Sequence, residues 1–411
     1  MPTSTFTRRE WLAASFTTMI ALESAAGQEK PRREGKERPP ITGEARPGLD
    51  RFDAVLLEML HKHGVPGGSL CLAKDGRLVL ARGYGWANVK AREPVRPEML
   101  FGIGSVSKAV TAVAVLKLVE TGKLRLQDHA FDVLKDLHPL PGQKEDPRVR
   151  TITIRQFLNH TSGYESMPHK PEAAQAFGVK QENLTADQII RYRLGKPLAY
   201  APGTEAQYSN YGYLVLGQII EHASGEPYAD YVDRHVLRPM GIRHAACNVT
   251  LATYPADWVH RYNRNGEELP PLKPLQGAAG GGWLTSAVEL ARFMTAVDGT
   301  RGSAFLPPRL MREMLAAPPP PVKPRKNGSH FGLGWDTVRF TPKGPTYTKN
   351  GGLPGYRAYV GHTPENVDWA VLLNGGTGEE AENEVADAAN HLQREIERVE
   401  RWPKGNLFGR F

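Results

Sequence analysis

The sequence predicts an α/β (α+β) fold, in which one antiparallel sheet is flanked by N- and C-terminal helices and a mostly helical subdomain lies beside it. Three observations predict this. The chain past residue 48 opens with a helical pattern and then a hairpin. A long, mostly helical block follows at about 105–280, and β-runs then return ahead of a helical tail. Strands this far apart in sequence can share one sheet, with helices covering its faces.

The first helix is expected over 49–63, where Phe52, Val55, Leu56, Met59 and Leu60 recur at helical spacing before Gly64-Val65-Pro66-Gly67-Gly68. Two β-runs follow, Ser69 to Lys74 and Arg77 to Gly83, and the Asp75-Gly76 between them is a strong two-residue hairpin signal. From Ser105 to about Gly122 the chain is helical and apolar on most sides, as a buried helix would be. Further helices are expected at Thr153–Asn159, at Tyr211–His222 and at 285–297, the last capped by Thr285 or Ser286. After a Pro/Lys loop at 318–328, β-runs return at Thr346–Thr348, Arg357–Gly361 and Trp369–Leu373. A terminal helix then runs from Glu379 to Arg401.

Ahead of this domain, residues 1–26 read as a twin-arginine-type export signal. Arg8-Arg9 precedes an apolar run from Trp11 to Leu22, and Ser24-Ala25-Ala26 offers small residues to a peptidase. The run is well short of the ~20 residues a membrane span needs, so no stable membrane span is expected. The protein is expected to be exported to a bacterial periplasm. Residues 27–48 hold Pro31, Pro39, Pro40 and Pro47 among mixed charges, which predicts a disordered linker and leaves 49–411 as one catalytic domain.

Composition narrows the function. Apolar residues are 40% of the 411 and charged residues 23%, enough for a sizeable core. The net charge of +8 is spread as local pairs such as Lys74-Asp75 and Arg394-Glu395, with no basic run and no aromatic-interleaved basic stripe, so nucleic acid is not an expected partner. Cys71 and Cys247 fit two buried thiols or one disulfide, and neither stands at metal-ligand spacing. His61 and His63 are two apart at a helix end and no HExxH occurs, so neither metal nor other cofactor is expected. No Gly-x-Ser-x-Gly is present, which argues against an α/β-hydrolase.

Three short motifs carry chemistry. Ser105 and Lys108, three apart, share one face of a helix, and a desolvated lysine can accept the serine proton. Tyr208-Ser209-Asn210 offers a phenol as proton carrier and an amide that can bond both a carbonyl and a lysine. Lys349-Asn350-Gly351-Gly352 places a cation and two glycines between β-runs, where a substrate can lie along a strand edge. Lys326-Asn327-Gly328 repeats the triplet but lies in the Pro-rich loop, so Lys349 is preferred.

Together these motifs resemble the serine β-lactamase and penicillin-binding protein superfamily, most closely the class C β-lactamase-like branch with its DD-peptidases and esterases. Phe101-Gly102-Ile103-Gly104, Leu158-Asn159-His160-Thr161-Ser162-Gly163 and Gly351-Gly352-Leu353-Pro354-Gly355-Tyr356 add to the resemblance, which covers roughly residues 50–400. It implies a serine β-lactamase-like fold with Ser105 as acylated nucleophile and Lys108 and Tyr208 moving protons. The backbone N–H groups of Ser105 and Gly352 would form the oxyanion hole, Asn210 would hold the acyl side chain and Lys349 a substrate carboxylate. Asn350 stands where the family often has Thr or Ser, and Gly352 where a serine is frequent. Many esterase-like relatives carry His at the position of Lys349, so the retained cation leans towards a carboxylate-bearing substrate. The expected activity is hydrolysis of a D-amino-acid peptide, a β-lactam or a small ester. The alternative is a penicillin-recognising binding protein with little turnover.

Overall fold

The computed structural model describes residues 38–165, 170–298, 305–376 and 390–411. The expected signal at 1–26 and the first part of the expected tail helix, 379–389, lie outside them. The principal strands are β1 Ile41–Gly43, β2 Gly67–Lys74, β3 Arg77–Asn88, β4 Phe101–Gly102, β5 Ala245–Cys247, β6 Trp283–Thr285, β7 Thr337–Thr341, β8 Gly344–Leu353, β9 Tyr356–Thr363 and β10 Val367–Leu373. The principal helices are α1 Asp50–His63, α2 Ser107–Glu120, α3 Ile154–Leu158, α4 Asn210–Ser224, α5 Ala278–Gly281 and α6 Ala287–Val297.

One antiparallel sheet runs β1-β3-β2-β10-β9-β8-β7, so the early hairpin and the late strands share one sheet, as the sequence predicts, and they meet at the β2–β10 pair. The Asp75-Gly76 turn has φ of 51° and 72°, the pair of positive values that a two-residue hairpin turn requires. Strands β2, β9 and β10 are buried almost throughout because both faces are covered. Successive side chains on a strand point to opposite faces. On β2, Leu70 and Leu72 join Phe52, Leu56 and Leu60 of α1 and Leu392 and Ile396 of the tail helix at 390–397, whereas Cys71 joins the core shared with α2 and α6. Asp53 on α1 clamps this layer to β3: it accepts from Arg82 Nη2 at 2.8 Å and from the Tyr84 hydroxyl at 2.8 Å.

Residues 39–48 correct one expectation. Ile41–Gly43 is not linker but an edge strand on β3, with Ile41 opposite Tyr84 and Gly43 opposite Arg82. Composition misleads there because the pairing is supplied by a strand forty residues away. The described part of the tail helix ends at 397 rather than Arg401. Past it, the Asn406 amide oxygen accepts from Leu78 N–H and Leu407 N–H donates to Leu78 O, which closes the flank of β3. Cys71 is buried, Cys247 is half-buried, and both are free thiols. No helix among the described residues is long and apolar enough to cross a membrane.

Candidate active site

The site forms where α2 meets β8. Ser105 does not open the α-helix, as expected, but sits in a 3-10 turn, Gly104–Val106, that feeds into it. Gly104 adopts φ +48°, and a Cβ there would stand 2.8 Å from Gly352 N and O. A Cβ on Gly351 would stand 2.0 Å from Ile103 O. Only glycine at 104 and at 351 lets the turn press this closely against β8.

Lys108 is wholly buried on the first turn of α2. Its Nζ lies 3.0 Å from Ser105 Oγ, 2.9 Å from Asn210 Oδ1 and 2.7 Å from Gly280 O. The Tyr208 hydroxyl donates to Ser105 Oγ at 2.6 Å. Ser209 N-caps α4, its Oγ accepting from Gly212 N–H, and so delivers Tyr208 and Asn210 from either side of the cap. His160, with φ 63°, accepts from Ser209 N–H at Nδ1 and from Gln207 N–H at its carbonyl, and its ring packs 4.7 Å from that of Tyr208. The structural role expected of His160, fixing a turn through hydrogen bonds, is what these contacts perform.

Lys349 is buried inside β8, so its triplet lies within a strand rather than between two. Its Nζ stands 5.1 Å from the Tyr208 ring, against 5.0 Å for Lys108 Nζ. Lys326 of the repeated triplet is exposed in its loop. Burial pushes the Lys108 ammonium well below the usual lysine range, the charge of Lys349 pushes it further, and Asp336 pulls the other way. Burial also lowers Lys349, opposed by its ion pair with Asp336. His160 is held well below the usual imidazole range by burial and by Lys349, Lys108 and Arg325.

Sequence reasoning missed Asp336 and the Gly280 carbonyl. The register of the β7–β8 hairpin, Thr337 opposite Thr348, sets Asp336 across from Lys349. Counting outward from the Gly344 turn would have found that pairing. Gly280 reaches Lys108 through the short helix α5, for which the glycine-rich run carries no distinctive pattern.

The family description that matches is Beta-lactamase, over residues 52–394. The chain belongs to the Beta-lactamase family. This Beta-lactamase-family chain is 32% identical over 226 residues to protein flp of Staphylococcus aureus strain MW2, covering 55% of its own length and 42% of flp. It is 33% identical over 199 residues to esterase EstB of Burkholderia gladioli, covering 47% of itself and 50% of EstB. It thus spans half or less of the length of these curated relatives. A class C β-lactamase superposes with a TM-score of 0.68 at 20% identity, covering 83% of this chain and 95% of that one, and so shares the fold.

Proposed function

We propose that this chain is a serine hydrolase that passes an acyl group through Ser105 to water. The observation that carries the reading is the set of partners around Lys108. Asn210 Oδ1 and Gly280 O can only accept hydrogen bonds, while Ser105 Oγ can also donate. A neutral amine that gives its two N–H groups to the two carbonyl oxygens therefore aims its lone pair at Ser105 Oγ, 3.0 Å away. Burial and the charge of Lys349 both favour that neutral form.

Ser105 Oγ then bonds to the substrate carbonyl carbon as its proton passes to Lys108. The backbone N–H groups of Ser105 and Gly352 receive the oxyanion, which the close seating of Gly104 on Gly352 supports. Tyr208 protonates the departing alkoxide or amine as the bond to it breaks. Water, deprotonated along the same route, releases the acid and restores Ser105.

Small esters are the favoured substrates within this reading. Asp336 already neutralises Lys349, and Asn350 supplies no hydroxyl, so the site does not need a substrate carboxylate. This departs from the carboxylate preference that the retained lysine implied by resemblance, and esterase EstB is among the relatives. A panel of p-nitrophenyl esters, nitrocefin and a D-Ala-D-Ala peptide tests it, with wild type beside Ser105→Ala. Ester turnover lost in Ser105→Ala, with a wild-type acyl adduct seen by mass spectrometry, is expected. Full turnover by Ser105→Ala sinks the mechanism, and penicillin labelling without turnover of any panel member supports the receptor reading instead. We also infer export through the twin arginine; Arg8→Lys with Arg9→Lys is expected to leave an unprocessed precursor in the bacterial cytoplasm.

A further inference from the structure

Asp298, His362 and Asp368 each present a ligand-type atom within 4.8 Å of the other two. None of the three belongs to the serine site. The sheet aligns two of them, because Tyr347 on β8 pairs with His362 on β9, and His362 pairs with Asp368 on β10. His362 Nδ1 lies 2.9 Å from Asp368 Oδ1, and both side chains are buried. Asp298 arrives from another layer, as the C-cap residue of α6, and is half-buried.

A fourth group is independent of these three. The Tyr347 hydroxyl is buried, has no hydrogen-bond partner, and belongs to a ring stacked on His362 at 4.8 Å and 11°. A buried phenol without a partner carries a free-energy penalty that a ligand could remove. Burial raises its pKa and the charges of Asp368 and Asp298 raise it further, so both carboxylates act on the phenol. Burial holds the His362 imidazole down to about 4 against the pull of Asp298 and Glu365. The C-terminal end of α6 adds negative potential at Asp298.

We propose that Asp298, His362 and Asp368, with the Tyr347 ring stacked on His362, bind a divalent transition-metal cation of the zinc type. One imidazole nitrogen with carboxylate oxygens suits such an ion better than calcium or magnesium, which prefer all-oxygen sets. Bonds of about 2.0–2.2 Å need the ligand atoms closer together than 4.8 Å. Asp298, half-buried at a helix end, is the ligand able to close that gap. Binding through Nδ1 requires the neutral ring to carry its single proton on Nε2, so a proton held on Nδ1 moves there. The ion would tie the end of α6 to β9 and β10, a structural role separate from the serine chemistry.

The test is calorimetric titration of the chelator-stripped full chain with Zn²⁺, with thermal denaturation alongside. One equivalent of Zn²⁺ per chain and a Tm raised by several degrees are expected. Asp298→Asn, which removes a half-exposed charge, should abolish both effects while keeping the circular dichroism spectrum of wild type. His362→Gln should do the same, and if it fails to fold, Asp298→Asn decides. No stoichiometric uptake by wild type overturns the proposal. Uptake unchanged in Asp298→Asn, as surface binding at His61 and His63 would produce, overturns it equally.

Discussion

At the scale of single residues, the site turns on two buried lysines that both approach the Tyr208 ring. Lys349 depresses Lys108, so replacing it lets the Lys108 pKa rise. Activity needs the neutral amine, which is present only above that pKa. Lys349→Gln should therefore move the acid limb of the kcat/KM profile to higher pH, besides any loss in rate; a limb that stays put separates Lys349 from the proton chemistry. Tyr208→Phe should lower kcat by about 10²–10⁴, the usual share of a proton donor, with the pH limb of Lys108 retained. Ser105, Lys108, Tyr208, Asn210 and Lys349 were all legible as candidates, because each motif is short and local. Asp336 was not, since its relation to Lys349 exists only in a hairpin register.

At the scale of elements, the meeting of the Gly104–Val106 turn with β8 has the narrowest tolerance. Gly351→Ala sets a methyl carbon 2.0 Å from a backbone oxygen that no side-chain rotation can move aside. Overpacking of this sort costs about 1–3 kcal/mol, and a hole opened at Gly352 costs about 10²–10³ in kcat. We expect Gly351→Ala to show both losses, by chemical denaturation and by ester turnover; wild-type stability with wild-type kcat would mean that the strand does not need this close approach. The expectation for α2 came from its apolar run, and the structure buries it on nearly every side. The edge strand Ile41–Gly43 escaped detection because three residues carry too little pattern to outweigh a proline-rich context.

At the scale of the whole molecule, a sheet covered on both faces joins two distant stretches of chain. The layer of α1 and the tail helix lies on the face opposite α2 and the serine. Leu56→Ala, fully buried in that layer, should cost about 2–5 kcal/mol while leaving kcat on esters near wild type at low temperature. Denaturant midpoints and initial rates measured on the same preparation check this, and a kcat that falls in step with stability would show that the rear layer governs the site. The sequence by itself determined the element types, the hairpin turn, the motif residues and the family resemblance, because periodicity, turn chemistry and short spacing are local properties. Only the tertiary structure decided that Gly280 joins Asn210 in holding Lys108, that Asp336 neutralises Lys349, and that Asp298, His362 and Asp368 converge. Those pairings depend on strand register and on the seating of helices against the sheet; counting from the Gly344 turn yields Asp336 opposite Lys349, whereas no spacing along the chain encodes the others.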